Sequence, residues 1–240
     1  EDAYRSIRTL MRYEIKDRIA LILYNSHNEF QQTNVIGEYL EEGVGGVTEL
    51  FKNRVGGPCE GGYQQFRHVI HHELVHAVIN DMFYGGSIQA LLSSRAPVTL
   101  PLWMNEGLAE YAAMQWETNS DMFIRDATIH NYLPPIDFLG GYFAYRGGQA
   151  VWNYIATKYG EQKIAEILSR VKGTRSIEQG FKATIGLTVK ELSERWQKEM
   201  KVTYWPDVAK REEPGDFAHK RLTDHRKAGN FYNTSPTISP

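Results

Sequence analysis

The chain has 240 residues, of which 42% are hydrophobic and 12% aromatic, enough to build a hydrophobic core. Its 27 Lys and Arg residues against 29 Asp and Glu residues give a formal charge of −2, which argues against a nucleic-acid partner. The single cysteine, Cys59, excludes an internal disulfide and a cysteine-based zinc cluster. No apolar stretch approaches the roughly 20 residues of a membrane-spanning helix, so no transmembrane segment is expected.

The N-terminal part of the chain contains two segments with the composition of strands. Ile15 to Asn25 is predicted to form a strand because it holds a run of aliphatic residues. Val44 to Cys59 is predicted to form one or two strands that are interrupted by pairs of glycines. We therefore expect mixed α and β structure in this part.

Apolar residues recur at helical spacing from Tyr63 onward, after a glycine pair at 61 and 62. The pattern predicts a helix over 63–83 that ends at a second glycine pair, followed by a short helix over 87–94. Pro101 is typical of the first turn of a helix and predicts another one that runs to Trp116 or close to it.

The second half of the chain is predicted to be mainly helical. Two amphipathic helices, over 147–159 and 162–171, are expected to end at Gly160 and Gly173. Thr188, with a glutamate three residues later, is predicted to form a capping box at the start of a further helix.

Beyond Pro206 the sequence becomes charged and loses its periodicity. We predict a boundary near residue 205. It divides the chain into a domain over 1–205, a charged linker or surface extension over 206–229, and a separate segment over 230–240.

A motif of the form H-E-x-x-H lies within the helix predicted over 63–83. Residues four apart stand one turn apart on the same helix face, so the imidazoles of His72 and His76 can bind one zinc ion at about 2.1 Å each. Glu73 lies beside them, where a carboxylate can take a proton from an activated water molecule. The alternative is a solvated polar helix face.

His68 offers a second register, because His68, His72 and His76 lie on one stripe of the helix. The outer two are about 12 Å apart along the helix axis, too far to share one ion. The pair of His72 and His76 is preferred because Glu73 follows His72, whereas Val69, which follows His68, cannot transfer a proton. His68 is then expected to be a neighbour of the site.

A hydrolytic zinc site needs three protein ligands and an open position for water, so one ligand must come from outside the motif. A third histidine six residues after His76 is excluded because that position holds Met82. The helix predicted after Pro101 supplies two carboxylates one turn apart, Glu106 and Glu110, for which the alternative is a pair of surface glutamates.

The two helices together resemble the gluzincins, the clan that contains thermolysin and the aminopeptidase N-like enzymes. Their W-x-N-E-G segment is matched by Trp103, Asn105, Glu106 and Gly107. The resemblance implies that Glu106 is the third ligand of one Zn²⁺ per chain, that Glu110 orients a ligating imidazole and that Asn105 also supports the ligands. It further implies an α+β, zincin-like fold, with a small N-terminal mixed sheet, the motif-bearing helix and a mainly helical C-terminal half.

The segment from Tyr145 to Gly148 resembles the Y-x-x-G segment of aminopeptidase N-like enzymes, whose tyrosine donates a hydrogen bond to the developing oxyanion. The resemblance implies this role for Tyr145, with Tyr142 as the competing candidate. No segment before the zinc helix matches the anchor for a free substrate amine in the aminopeptidases. Glu49 is the nearest stand-in, and exopeptidase specificity is not predicted.

A closer resemblance is to the compact bacterial peptidase-MA-like domains that precede a Tol-type β-propeller. Residues 233–240 resemble the first strand of a propeller blade, and a Ser-, Pro- and Thr-rich tail is the alternative interpretation. The resemblance implies a C-terminal β-propeller in a longer chain. It also implies an extracytoplasmic bacterial location, in the periplasm, at the cell surface or secreted.

The main hypothesis from these residues is a zinc-dependent metallopeptidase that acts on a peptide or protein substrate. An extended peptide is expected to lie along the glycine-rich segment 43–57 by strand addition, unless these glycines only form hairpin turns. Two alternatives stay open. One is a zinc-bearing module that binds a peptide or partner with weak or no hydrolysis, and the other is a metal-free polar interior.

Overall fold

The computed structural model of the chain describes residues 1–33, 40–49, 54–60, 62–85, 98–212 and 214–219. Within these residues a small sheet occupies the N-terminal part and helices form most of the rest, which confirms the α+β class. The strands are β1 (Ala20–Tyr24), β2 (Val47–Glu49) and β3 (Arg54–Pro58). The helices are α1 (Asp2–Met11), α2 (His27–Gln31), α3 (Tyr63–Tyr84), α4 (Leu102–Met114), α5 (Thr118–Ile129), α6 (Tyr142–Tyr159), α7 (Gln162–Thr174), α8 (Ile177–Ile185), α9 (Val189–Val208) and α10 (Pro214–Phe217), with a 3₁₀ turn at Ile136–Phe138.

The sheet has the strand order β1-β3-β2, with β1 parallel and β2 antiparallel to the central β3. The strand predicted over 15–25 is shorter than expected, because pairing begins only at Ala20. The backbone amide of Ile15 donates to the hydroxyl of Tyr4 at 3.2 Å instead of to a neighbouring strand. The segment 44–59 contains β2 and β3, as its glycine pairs predict.

Helix α3 confirms the helix predicted over 63–83, with an end one residue later. Gly62 precedes it in an extended conformation, and Gly85 ends it at φ 71°, a left-handed conformation that glycine adopts without strain. The helix packs against β2, β3, α1 and α4. In the turns around the motif, the side chains of Val75 and Val78 are fully buried, whereas Tyr63 in the first turn is exposed. The H-E-x-x-H motif therefore lies in the interior of the protein.

Helices α4 and α6 cross at two glycines. A Cβ on Gly107 would lie 2.8 Å from the Gln149 amide nitrogen, and a Cβ on Gly148 would lie 2.8 Å from the Gly107 Cα. Such distances leave no room for any side chain, so the two helices touch through their backbones. Beside this crossing, the buried Trp152 Nε1 donates to the Met104 carbonyl oxygen at 3.0 Å.

Aromatic rings fill the core beneath this crossing. The ring centroids of Trp103, Trp152 and Phe181 lie 6.1 to 6.2 Å apart, and all three side chains are buried. Trp103 lies one turn before Glu106 on α4, so the core packing fixes the part of the helix that carries the two glutamates.

Two helix ends in the second half differ from the prediction. Helix α6 begins at Tyr142 rather than at residue 147. Helix α7 passes Gly173 and ends at Thr174, and the next residue, Arg175, takes the left-handed conformation at φ 57°. An exposed glycine costs a helix only about 1 kcal/mol, too little to end one that is otherwise packed. The capping box is confirmed, because the Thr188 amide donates to Glu191 Oε2 at 2.8 Å and the Glu191 amide donates to Thr188 Oγ1 at 3.2 Å.

Helix α9 runs through Pro206 and ends at Val208. The proline removes one helix hydrogen bond, whose acceptor would be the carbonyl of Val202, and water can replace the donor because Val202 is exposed. The domain boundary near 205 stays a prediction. The helix predicted over 87–94 and the segment 230–240 lie outside the described residues.

Candidate metal centre

Helix α3 brings the two histidines of the motif together. The Nε2 atoms of His72 and His76 are 3.0 Å apart, and the two side chains are only 11% and 12% exposed. This convergence follows from their spacing of one helical turn. The ring of His68, one turn earlier, lies 6.2 Å from the ring of His72.

Glu106 on α4 reaches both imidazoles. Its Oε2 lies 3.2 Å from Nε2 of His72 and 3.2 Å from Nε2 of His76. Atoms that each lie about 2.1 Å from one tetrahedral zinc ion are about 3.4 Å apart, so these three atoms have nearly the spacing of zinc ligands. Two imidazole nitrogens and one carboxylate oxygen suit zinc and leave a position for water. The residues therefore fit a catalytic zinc ion.

The charges in this group stabilise one another. Burial raises the pKa of Glu106, but hydrogen bonds with His72 and His76 outweigh burial and lower that pKa to about 2. Burial lowers the pKa of His72, but its contacts with the carboxylates of Glu106 and Glu110 outweigh burial and raise that pKa to about 9. A proton and a metal ion therefore compete for binding to the imidazole of His72.

Glu110, one turn after Glu106, lies on the other side of the His72 ring. Its Oε1 is 3.1 Å from His68 Nε2 and 2.9 Å from His72 Nδ1, the latter an ion-pair contact that falls short of a well-aligned hydrogen bond. Burial raises the pKa of Glu110, but its contacts with these two histidines outweigh burial and hold that pKa well below its ordinary value. A second His/Glu group, formed by His68, His72 and Glu110, thus adjoins the first.

Arg146 on α6 anchors the second group from behind. Its Nη1 donates to Glu110 Oε2 at 2.8 Å and to Ser120 Oγ at 3.2 Å, while its Nε donates to the Tyr142 hydroxyl at 2.9 Å. Ser120 in turn donates to Gln149 Oε1 at 2.7 Å. This buried network joins α4, α5 and α6 around the carboxylate of Glu110.

Of the two tyrosines considered as oxyanion donors, Tyr145 is the one that lies beside the predicted ligands. Its ring stacks on that of His72, with centroids 6.0 Å apart and planes 15° from parallel. Burial, followed by the charge of Glu106, raises the pKa of Tyr145 to about 12, so the phenol keeps its proton at neutral pH. Tyr142 is 57% exposed.

The side chain of Glu73 is contacted by the sheet. Thr48 Oγ1 on β2 lies 2.6 Å from Glu73 Oε2 and 2.8 Å from the Glu73 carbonyl oxygen. The contact of Thr48 with Glu73 was not predicted from the sequence. The one feature that could have indicated it is the position of Thr48 two residues after Gly46, because residues two apart lie on the same face of a strand. Glu49 is engaged elsewhere, because Arg54 Nε donates to its Oε2 at 2.6 Å.

Two further residues near the motif have buried polar atoms. The Oδ1 atom of Asn105 has no hydrogen-bond partner within the part of the chain that the structure describes, and its support of the ligands stays a prediction. His71 packs in the interior, where burial, followed by the charge of Arg67, lowers its pKa to about 4. His71 is therefore neutral at physiological pH.

A small mixed sheet, a helix that carries two converging histidines and a second helix that presents a glutamate to them define a zincin-like α+β fold. The chain belongs to the peptidase MA superfamily, whose family model matches residues 2–202. Membership indicates a metallopeptidase-like protein.

No curated protein and no solved structure matches the chain. Among the helices that the structure describes, none is long and apolar enough to cross a membrane.

Proposed function

We propose that the protein is a zinc-dependent metallopeptidase of the gluzincin type, which hydrolyses peptide bonds. The observation that carries this proposal is the convergence of His72, His76 and Glu106 within 3.0 to 3.2 Å of one another, with Glu73 on the same helix as the two histidines. Membership of the peptidase MA superfamily supports it.

His72, His76 and Glu106 would hold one Zn²⁺ per chain. When bound, the ion polarises the scissile carbonyl and lowers the pKa of a water molecule. Glu110 orients the ring of His72, because a carboxylate beside Nδ1 favours the tautomer whose Nε2 is free to bind metal.

Glu73 acts as the general base in this proposal. It takes a proton from the attacking water as the new C–O bond forms, and returns that proton to the leaving amine as the C–N bond breaks. Tyr145 donates a hydrogen bond to the oxyanion, whose charge develops only as the reaction proceeds. Its pKa of about 12 keeps the donating hydroxyl protonated at neutral pH.

The substrate is a peptide or protein, bound along the glycine-rich segment 43–57. In support, β2 is an edge strand of the described sheet and contacts the general base Glu73 through Thr48. An extended peptide that adds to the edge of β2 would pass close to Glu73. Glu49 is held by Arg54, so we do not assign to it the recognition of a free substrate amine.

The test is metal analysis of the purified chain, combined with hydrolysis of a quenched-fluorescent casein. We expect one zinc per chain and hydrolysis that a chelator abolishes. Glu73→Gln should keep the zinc and lower kcat by about 10³-fold, because the general base is lost. The control Glu194→Gln, an exposed substitution on α9, should leave both readings unchanged.

Equal hydrolysis by the wild type and Glu73→Gln would refute the mechanism. One bound zinc without turnover on any peptide library would instead support a zinc-bearing module that binds a peptide or partner. A C-terminal β-propeller and an extracytoplasmic bacterial location stay predictions from the sequence resemblance. Determination of the full coding sequence would test the first, and localisation of the tagged protein would test the second.

A further inference from the structure

The strand β2 rests directly on the turn of α3 that carries Glu73. Alternation along an extended chain places Gly46 and Thr48 on the same side. A Cβ on Gly46 would lie 2.8 Å from Glu73 Cγ and 2.9 Å from Val69 Cγ1, one turn earlier on α3. The absence of a side chain at Gly46 is therefore what lets the backbone come so close to Glu73.

Thr48 uses this close approach to reach the carboxylate of Glu73. A threonine hydroxyl has one proton to donate, and its oxygen lies 2.6 Å from Glu73 Oε2 and 2.8 Å from the Glu73 carbonyl oxygen. The shorter distance is typical of a hydroxyl that donates to an ionised oxygen. The proton is accordingly assigned to the bond with Oε2.

The second carboxylate oxygen of Glu73 is in a different position. Oε1 lies 3.2 Å from the point that a Cβ on Gly46 would occupy, beside the backbone that leads into β2. Among the described residues no hydrogen bond to Oε1 is found, and Gly46 places no side chain against this oxygen. The sheet thus holds one oxygen of the carboxylate and leaves room for the other.

We propose that Thr48 is a positioning residue, which holds Oε2 of Glu73 so that Oε1 is the oxygen that exchanges protons with water and the leaving amine. This inference rests on the proposed peptidase function. The O–H bond of water breaks, its proton moves to Oε1 and the oxygen bonds to the carbonyl carbon. The same proton then moves from Oε1 to the amide nitrogen as the C–N bond breaks. Throughout both steps the Thr48 hydroxyl stays bonded to Oε2.

The first test compares Thr48→Val with Thr48→Ser in the zinc-loaded full chain. Valine keeps the shape without the hydroxyl, and we expect kcat to fall about 30-fold with KM within about twofold, because the loss concerns only the orientation of the base. Serine keeps the hydroxyl, and its kcat should stay within about threefold of the wild type. Both variants should bind one zinc.

The matched control for this test is Thr128→Val on α5. Thr128 is buried and its hydroxyl donates to the Ile124 carbonyl oxygen at 2.7 Å, so its loss costs a comparable hydrogen bond away from the site. Thr128→Val should leave kcat unchanged. Wild-type kcat in Thr48→Val, or an equal loss in Thr48→Ser, would overturn the proposal.

A second measurement does not depend on activity. Unfolding by urea of the wild type, Thr48→Val, Glu73→Ala and the double variant gives a thermodynamic cycle in metal-free protein. We expect the two substitutions to be non-additive by about threefold or more in the unfolding equilibrium constant. Additive effects would refute the contact. A wild type that binds zinc but never cleaves peptides would refute the peptidase function, whereas the cycle tests the contact separately.

Discussion

Two groups of side chains at the centre of the protein have the same composition but different surroundings. Each consists of two histidines one turn apart on α3 and one glutamate on α4, and His72 belongs to both. Glu106 completes the first group with His76, and Glu110 completes the second with His68. Residue types and spacing alone do not distinguish the two.

What distinguishes them is the charge behind each carboxylate. Arg146 Nη1 lies 2.8 Å from Glu110 Oε2, and the two side chains are only 15% and 6% exposed, so a buried cation already neutralises this glutamate. Among the described residues no lysine or arginine forms an ion pair with Glu106. A divalent cation therefore gains more at the first group. A neighbouring cation can thus distinguish a candidate metal site from a similar group of residues beside it.

The largest effect is expected from Glu106→Gln, which removes the carboxylate of the first group. A neutral amide is a poor zinc ligand, so zinc affinity should fall about 10³-fold, and hydrolysis should fall with it. Competition with a coloured chelator on metal-stripped protein measures the affinity. If this variant binds zinc like the wild type while Glu110→Gln does not, the second group and not the first is the metal site.

Arg146→Met tests, through the free energy of unfolding, whether a buried cation neutralises Glu110. It leaves the carboxylate of Glu110 buried without its cation, so the free energy of unfolding should fall by about 3 kcal/mol. The control Arg5→Met removes an exposed pair with Asp2, 70% and 82% exposed, and should cost less than about 1 kcal/mol. Urea unfolding of metal-free protein measures both. If the two variants are equally stable, Arg146 does not neutralise Glu110.

The shared residue, His72, makes the stability of metal-free protein depend on pH. Its pKa is about 9 in the folded protein, above the value of about 6.5 for an unfolded chain, so protonation favours the folded state. This contribution is complete below about pH 6.5 and is lost as the pH rises through about 9. From pH 7 to 10 the wild type should lose about 2 kcal/mol more stability than His72→Asn. Urea unfolding at both pH values with a chelator present measures the difference, and equal losses would contradict the prediction.

The smallest effects are expected from two substitutions in the second group, first Glu110→Gln and then His68→Asn. Glu110→Gln keeps the shape behind His72 and removes the charge, so zinc affinity should fall by about tenfold. His68→Asn, at the outer end of the second group, should change affinity by less than about threefold. The same chelator competition measures both variants. A loss with Glu110→Gln as large as that with Glu106→Gln would make Glu110 a ligand rather than a support.

The convergence of the ligands could be predicted because most of it is local. His72 and His76 converge through the periodicity of one helix, and Glu106 is found because the segment around it resembles a family pattern. Thr48 and Arg146 could not be found in this way. The contact of Thr48 with Glu73 spans 25 residues and that of Arg146 with Glu110 spans 36, and both depend on how separate elements pack.

The errors in the helix boundaries have a related cause. Gly173 was expected to end a helix, yet α7 continues past it, and α9 likewise continues past Pro206. The glycine and the proline both disfavour a helix, but both are exposed. The same helices bury apolar side chains on their inner faces, such as Val171 and Tyr204. Packing that the sequence does not display therefore outweighs the local preference.

The backbone contact between α4 and α6 limits which substitutions the site can tolerate. Gly107 directly follows Glu106 on one helix, and Gly148 lies one turn after Tyr145 on the other. A methyl group at either glycine would force the helices apart and move the tyrosine away from the glutamate. A displacement of about 1 Å in a catalytic group is enough to slow a reaction about 100-fold. The alignment of the tyrosine with the proposed metal ligands thus depends on two residues that have no side chain.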